Sequence, residues 1–184
     1  MTVSPGTIAG VFVVTSPKFE DRRGFFREHY RYSELAAALG REPRMRQGNH
    51  SRSCADVLRG FHTEPWDKLL YVARGTALCV VADTRPASPT FARHQSFLMG
   101  DPPGEHIRVF VSEGLSNAFY CFTEVDYLND VTEEFSPERR GGVLWSDETL
   151  AVKWPSRSPI LSGVDANLPT LRTLYPLHPR FAQK

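Results

Sequence analysis

The chain has 184 residues, 41% of them hydrophobic and 23% charged, with a formal net charge of +1, which suits one globular domain with its own core. That charge excludes a polyanion-sized basic face, and no basic run points to nucleic acid or a membrane surface. The three cysteines, Cys54, Cys79 and Cys121, lack a pairing number and zinc-like spacing, and no apolar run approaches about 18 residues, so a protein of the reducing cytoplasm, neither exported nor anchored, is expected.

In chain order, Gly10–Ser16 is β-branched and aromatic and stops at Pro17, which predicts a first strand. Phe19–Glu28 mixes charges and aromatics around Gly24 and reads as a turn or hairpin. Its charges suit a solvated loop, while the Arg, Phe and Glu together also suit a planar ligand ring. Ser33–Leu39 predicts the one clear helix, with Ser33 as N-cap and Gly40 just past its end. Strands are then expected at Lys68–Val72, Ala77–Ala82, Phe91–Leu98, Ile107–Val111, Ala118–Phe122 and Val125–Val131, separated by turn signals at 73–75, 83–89, 100–104 and 112–114. Short strands at such spacing predict an all-β sandwich or jelly-roll barrel with few short helices, and no Gly-rich phosphate loop interrupts them. The proline-rich segment from 136 to 184 is expected to wrap the barrel.

Chemistry concentrates in Gln47–Lys68, which holds Gln47, Asn49, His50, Ser51, Ser53, Arg59, His62 and Lys68. A single histidine in a β protein is usually structural, and Arg59 and Lys68 taken singly read as exposed strand charges. Alternation sends Phe61 to one face and His62 to the other, with Lys68 beside His62 if the strand is continuous. An imidazole base and a cation facing one cavity suit proton abstraction with oxyanion stabilisation. A metal site built on His62, Glu64 and His50 is the competing reading, weakened by the absence of any His-x-His pair and by Glu64 preceding Pro65.

The ordered set Asp21-x-Arg23-Gly-x-Phe26-x-Glu28, Gln47-x-Asn49-x-Ser51-x-Ser53, Leu58-Arg59-Gly-Phe-His62, Lys68-Leu-Leu, Phe110-Val-Ser-Glu-Gly114, Ser136-Pro137-Glu138, Trp145-Ser-Asp147, Val152-Lys-Trp154-Pro155 and Leu161-Ser-x-x-Asp165 resembles the nucleotide-sugar 3,5-epimerases over most of the chain. The resemblance implies a cupin-type jelly roll spanning 1–184, working as a homodimer to which the strands of residues 1–45 contribute, without metal or other cofactor. The implied substrate is a nucleoside-diphosphate 4-keto sugar. His62 would be the base, held by Asp165, with Lys68 at the enolate oxygen and Arg59 at the diphosphate. Gln47, Asn49 and Ser51 would line the pocket, and Arg23, Phe26 and Glu28 would reach the nucleoside from the neighbouring subunit.

This chain departs from the family pattern at three places. Asn117 stands where the pattern has a second histidine, and an amide hydrogen-bonds but does not shuttle protons. The acid tyrosine aligns to Tyr127 or, without gaps from Ser136-Pro137, to Asn129; Tyr127 is the preferred assignment, and both share one strand face. The segment between His62 and Lys68 is also shorter than in the pattern. Inversion at C3, at C5 or at both is therefore left open, as are the sugar and the nucleotide, and a metal-dependent cupin and a non-catalytic sugar-nucleotide binder remain as other classes.

Overall fold

A computed structural model describes residues 1–181. β1 (Thr2–Pro5) and β2 (Val11–Thr15) lead into a small hairpin, β3 (Phe19–Asp21) and β4 (Gly24–Phe26), and then α1 (Tyr32–Leu39). The barrel strands follow as β5 (Gln47–Ser53), β6 (Leu58–Thr63), β7 (Lys68–Arg74), β8 (Thr76–Ala82), β9 (His94–Gly100), β10 (Arg108–Val111), β11 (Ser116–Cys121) and β12 (Val125–Val131). A two-residue strand β13 (Gly141–Gly142) and the one-turn helix α2 (Leu171–Leu174) lie in the tail.

Six strands in the order β1-β2-β10-β7-β12-β5 face five in the order β13-β6-β11-β8-β9, giving the expected jelly-roll barrel. Alternation along each strand places Leu70, Val72, Cys79, Val81, Met99, Val109, Val111, Phe119 and Cys121 between the sheets as the main core. The outer faces are covered differently. α1 seats the buried Leu35 on Val14, Leu69 and Phe110 of the six-stranded sheet. The C-terminal segment packs Leu150, Leu171 and Trp154 against Phe61, Val80 and Ala118 of the other. No helix among the described residues is long and apolar enough to cross a membrane.

Three local expectations need correction. α1 begins at Tyr32 with Arg31 as its extended N-cap, so Ser33 lies inside the first turn, while Gly40 ends the helix with φ 65° as expected. Leu35 N–H donates to Arg31 C=O, and docking of Leu35 sets that boundary. The strand expected from Phe91 begins at His94, because the Asp83 carboxylate accepts hydrogen bonds from Arg85, Ser88 and Thr90 and holds the turn closed until then. Finally, His62 and Lys68 do not share a continuous strand. β6 ends at Thr63 and β7 opens at Lys68 in the opposite sheet, so the two side chains converge across the barrel instead of projecting side by side.

Candidate active site

The open end of the barrel carries a cleft made of two adjoining cavities. One, of about 330 Å³, is lined by Gln47, Asn49, His62, Glu64, Trp66, Lys68, Asn129, Val131, Phe135 and Arg140. The other, of about 170 Å³, is lined by His50, Ser51, Arg59, Asn117, Phe119 and Tyr127 and shares Asn49, His62 and Asn129 with the first. A larger hollow of about 670 Å³ lies beyond Trp66 among arginines. Arg41, Arg44 and Arg85 there are already paired with Asp67, Glu42 and Asp83, and His62, Lys68 and Tyr127 are not among its lining residues.

Strand register accounts for one wall of the cleft. Ser51, Asn49 and Gln47 of β5 lie opposite Tyr127, Asn129 and Val131 of β12, and Val131 lies opposite Lys68 of β7, so a period of two turns this polar set to the interior. The amides form a chain in which Gln47 Nε2 donates to Asn49 Oδ1 and Asn49 Nδ2 donates to Asn129 Oδ1, both at 2.6 Å.

The facing wall depends on an irregularity. Arg59 and His62 are an odd number of residues apart and would point to opposite faces of a regular strand. β6 carries an extra residue against β11, where Asn117 pairs with His62 and Phe119 with Arg59, and this bulge brings both side chains to the smaller cavity. Gly60 makes the bulge feasible. Its φ is +112°, and a Cβ there would lie 2.6 Å from the Asn117 carbonyl oxygen.

His62 Nε2 lies 2.7 Å from Asp165 Oδ1, delivered by the tail in the turn Asp165–Asn167. A carboxylate only accepts, so Nε2 carries the hydrogen and Nδ1 is left as the basic nitrogen. Burial pushes the Asp165 carboxyl upward, but hydrogen bonds from His62, Ser162 and the Gly60 backbone outweigh it and hold the group below its usual value.

Lys68, only 3% exposed, has its ammonium surrounded by three acceptors: the Glu64 carboxylate, Asn117 Oδ1 at 2.6 Å and the His62 carbonyl oxygen at 3.3 Å. Burial lowers its pKa, and the charge of Glu64 opposes that shift. Tyr127 is buried as well, stacked on Phe119 with ring centroids 4.0 Å apart, and burial pushes its phenol well above the ordinary value. Its oxygen accepts a long contact of 3.5 Å from Asn117 Nδ2. Arg59 Nε donates to Ser53 Oγ at 2.9 Å, and its guanidinium has no carboxylate partner among the described residues.

His62, Lys68, Asp165, Tyr127, Asn117, Asn129, Arg59, Gln47, Asn49 and Ser51 are thus gathered in or directly behind one cleft. Arg23, Phe26 and Glu28 are not. Arg23 bonds Asp21 within the exposed hairpin, Phe26 is 68% exposed and Glu28 pairs with Arg31. The side chains weighed for a metal are turned elsewhere, Glu64 to Lys68, His62 to Asp165 and His50 to Asp126. Among the described residues no group of three His, Cys, Asp or Glu is placed to hold a metal ion. Sequence reasoning weighed Glu64 only as a metal ligand and overlooked Phe135 and Arg140 as cleft residues, while Trp66 lies within the Gln47–Lys68 stretch that it singled out. The spacing of Glu64 and Lys68 around Pro65 was the available signal for the ion pair; Phe135 and Arg140 carried none.

A family model described as dTDP-4-dehydrorhamnose 3,5-epimerase matches residues 5–173. The chain is 34% identical over 178 residues to the dTDP-4-dehydrorhamnose 3,5-epimerase of Salmonella typhimurium, covering 93% of this chain and 96% of that one. Among solved structures it is similar to NovW, a 4-keto-6-deoxy sugar epimerase from the novobiocin cluster of Streptomyces spheroides, with TM-score 0.90, 30% identity and coverage of 100% and 96%. It is also similar to ChmJ, a 3'-monoepimerase from Streptomyces bikiniensis in complex with dTDP-quinovose, with TM-score 0.89, 30% identity and coverage of 95% and 90%. With a family model that matches most of the chain, a relative 34% identical along nearly its whole length and solved structures of the same barrel, the chain belongs to the dTDP-4-dehydrorhamnose 3,5-epimerase family of isomerases.

Proposed function

We propose that the protein epimerises a dTDP-linked 4-keto-6-deoxyhexose by proton abstraction and return. The observation that carries this reading is that His62 on β6 and Tyr127 on β12 come from facing sheets and line one cavity, with Lys68 beside His62 and linked to Tyr127 through Asn117. The ketone at C4 acidifies the hydrogens on its neighbouring carbons. His62 Nδ1 takes one of them, and Asp165 stabilises the imidazolium that results. The electron pair moves onto the ketone oxygen, where the Lys68 ammonium meets it after giving up its longest contact, that to the His62 carbonyl oxygen. Tyr127, kept protonated by its burial, returns a proton from the other face and inverts the carbon.

Arg59, beside the small cavity and without a carboxylate partner among the described residues, suits the diphosphate, and the Gln47, Asn49 and Asn129 amides suit sugar hydroxyls and phosphate oxygens. The exposed Phe19, Phe25 and Phe26 of the β3–β4 hairpin support a homodimer in which Arg23, Phe26 and Glu28 complete the nucleoside site of a partner. Three free thiols fit work in a reducing compartment such as the cytoplasm. Inversion at C3 alone is the second reading, favoured by Asn117 against the Tyr127 hydroxyl and by the likeness to a 3'-monoepimerase.

Incubation with a dTDP-4-keto-6-deoxyhexose in deuterated water tests the proposal. Deuterium is expected at C3, at C5 or at both in the wild type, with at least a 1000-fold loss in His62→Ala on the scale of general-base catalysis. Tyr127→Phe is expected to retain exchange and lose inversion. Wild-type protein that exchanges no hydrogen of such sugars would overturn the epimerase assignment.

A further inference from the structure

Asn117 sits at 6% exposure between Lys68 and Tyr127, on the strand next to His62. An amide has a donor end and an acceptor end, and coordinates alone rarely distinguish them. Here the chemistry does. An ammonium has hydrogens and no lone pair, so the end of Asn117 that lies 2.6 Å from Lys68 Nζ is its oxygen. The nitrogen is thereby turned to Tyr127, and the tyrosine oxygen must accept from it. Glu64 holds Lys68 from the other side, so the whole string Glu64–Lys68–Asn117–Tyr127 has one polarity.

That polarity has a consequence for the phenol. A phenolic hydrogen lies near the ring plane in one of two opposed positions, and stacking on Phe119 at an interplanar angle of 13° holds that plane. The position facing Asn117 Nδ2 would bring two hydrogens together. The hydrogen therefore occupies the other, turned away from Asn117, on a residue that lines the smaller cavity.

We infer that Asn117 is a positioning residue that, oriented by Lys68, aims the Tyr127 hydroxyl hydrogen at the substrate for the inverting step. This rests on Tyr127 being the acid. In that step the O–H bond breaks with its electron pair left on the phenol oxygen, a C–H bond forms at the enolate carbon, and the C4 carbonyl re-forms. Solvent then reprotonates the phenolate. Asn117 touches neither the carbon nor the proton in flight.

The test measures the ratio of inverted product to exchanged starting sugar in deuterated water, from pH 6 to pH 9. In Asn117→Asp the ionised carboxylate accepts from both neighbours and draws the phenol hydrogen away from the cavity. The ratio is then expected to lie about 100-fold below that of wild type, the lower range of general-acid contributions, while exchange through His62 persists. In Asn117→His, a ring nitrogen accepting from Lys68 leaves the hydrogen on the other nitrogen, toward Tyr127, so the ratio stays within about threefold of wild type, well inside the acid's contribution. An aspartate variant with the wild-type ratio at every pH, loss of exchange and inversion together, or a histidine variant that behaves like the aspartate one would each overturn the inference. Tyr127→Phe separates the two levels: if it inverts normally, the acid assignment itself fails, whereas normal inversion in Asn117→Asp alone removes only the role of Asn117.

Discussion

At the scale of single residues, the cleft combines a base with a fixed tautomer and a cation that is charged yet already saturated with acceptors. Glu64 is the residue on which that cation depends. Burial favours neutral Lys68, and the groups facing the amine are the Glu64 carboxylate, the neutral Asn117 amide and the His62 backbone oxygen, with Tyr127 one contact further on. Glu64 alone among them carries a charge that raises the lysine's pKa. Glu64→Gln is therefore expected to move the alkaline limb of kcat/KM to lower pH by about one unit, because Lys68 then loses its proton sooner. A pH-rate profile checks the sign. An unchanged or upward-shifted limb would mean that Lys68 does not govern that limb.

At the scale of elements, β6 has the most constrained backbone of the site strands. Its bulge turns Arg59 and His62 to one side, and Gly60 is the point at which the chain accommodates it. Gly60→Ala places a methyl group against the Asn117 carbonyl and strains a positive φ. The expected outcome is a loss of about 2 kcal/mol in urea unfolding, together with loss of exchange activity, since the bulge orients the base. Ala at Gly163, where the added methyl meets nothing within 4 Å, is the matched control and is expected to change stability by less than about 0.5 kcal/mol.

At the scale of the whole molecule, the site is assembled from both sheets and the tail, with Asp165 lying 103 residues from His62 in sequence. The separation of Arg23, Phe26 and Glu28 from the cleft of their own chain gives the shared-site dimer a direct test. His62→Ala and Phe26→Ala chains, each impaired alone, should regain about a quarter of wild-type activity when refolded together at equal amounts. Half of the dimers are then mixed, and each mixed dimer has one intact site. A mixture no more active than its components would show that the hairpin serves its own subunit or none.

Alternation of apolar residues and regular turn signals made most strands and the jelly-roll class legible from sequence alone, because a half-buried strand must repeat with period two whatever surrounds it. The reactive residue types were legible too, since His62, Lys68, Arg59 and Asp165 occupy an ordered motif set that similarity could recognise. What sequence could not supply was the relation between them. A regular strand would turn Arg59 away from His62, and only the bulge brings both to one cavity; a presumed continuous strand put Lys68 beside His62, whereas the barrel closes them together from opposite sheets. Asn117 read as a lost histidine until packing set it between an ammonium and a phenol. Residue chemistry and strand period are local properties carried by the chain itself. Which donor meets which acceptor depends on contacts between residues far apart in sequence, and those exist only once the two sheets have packed.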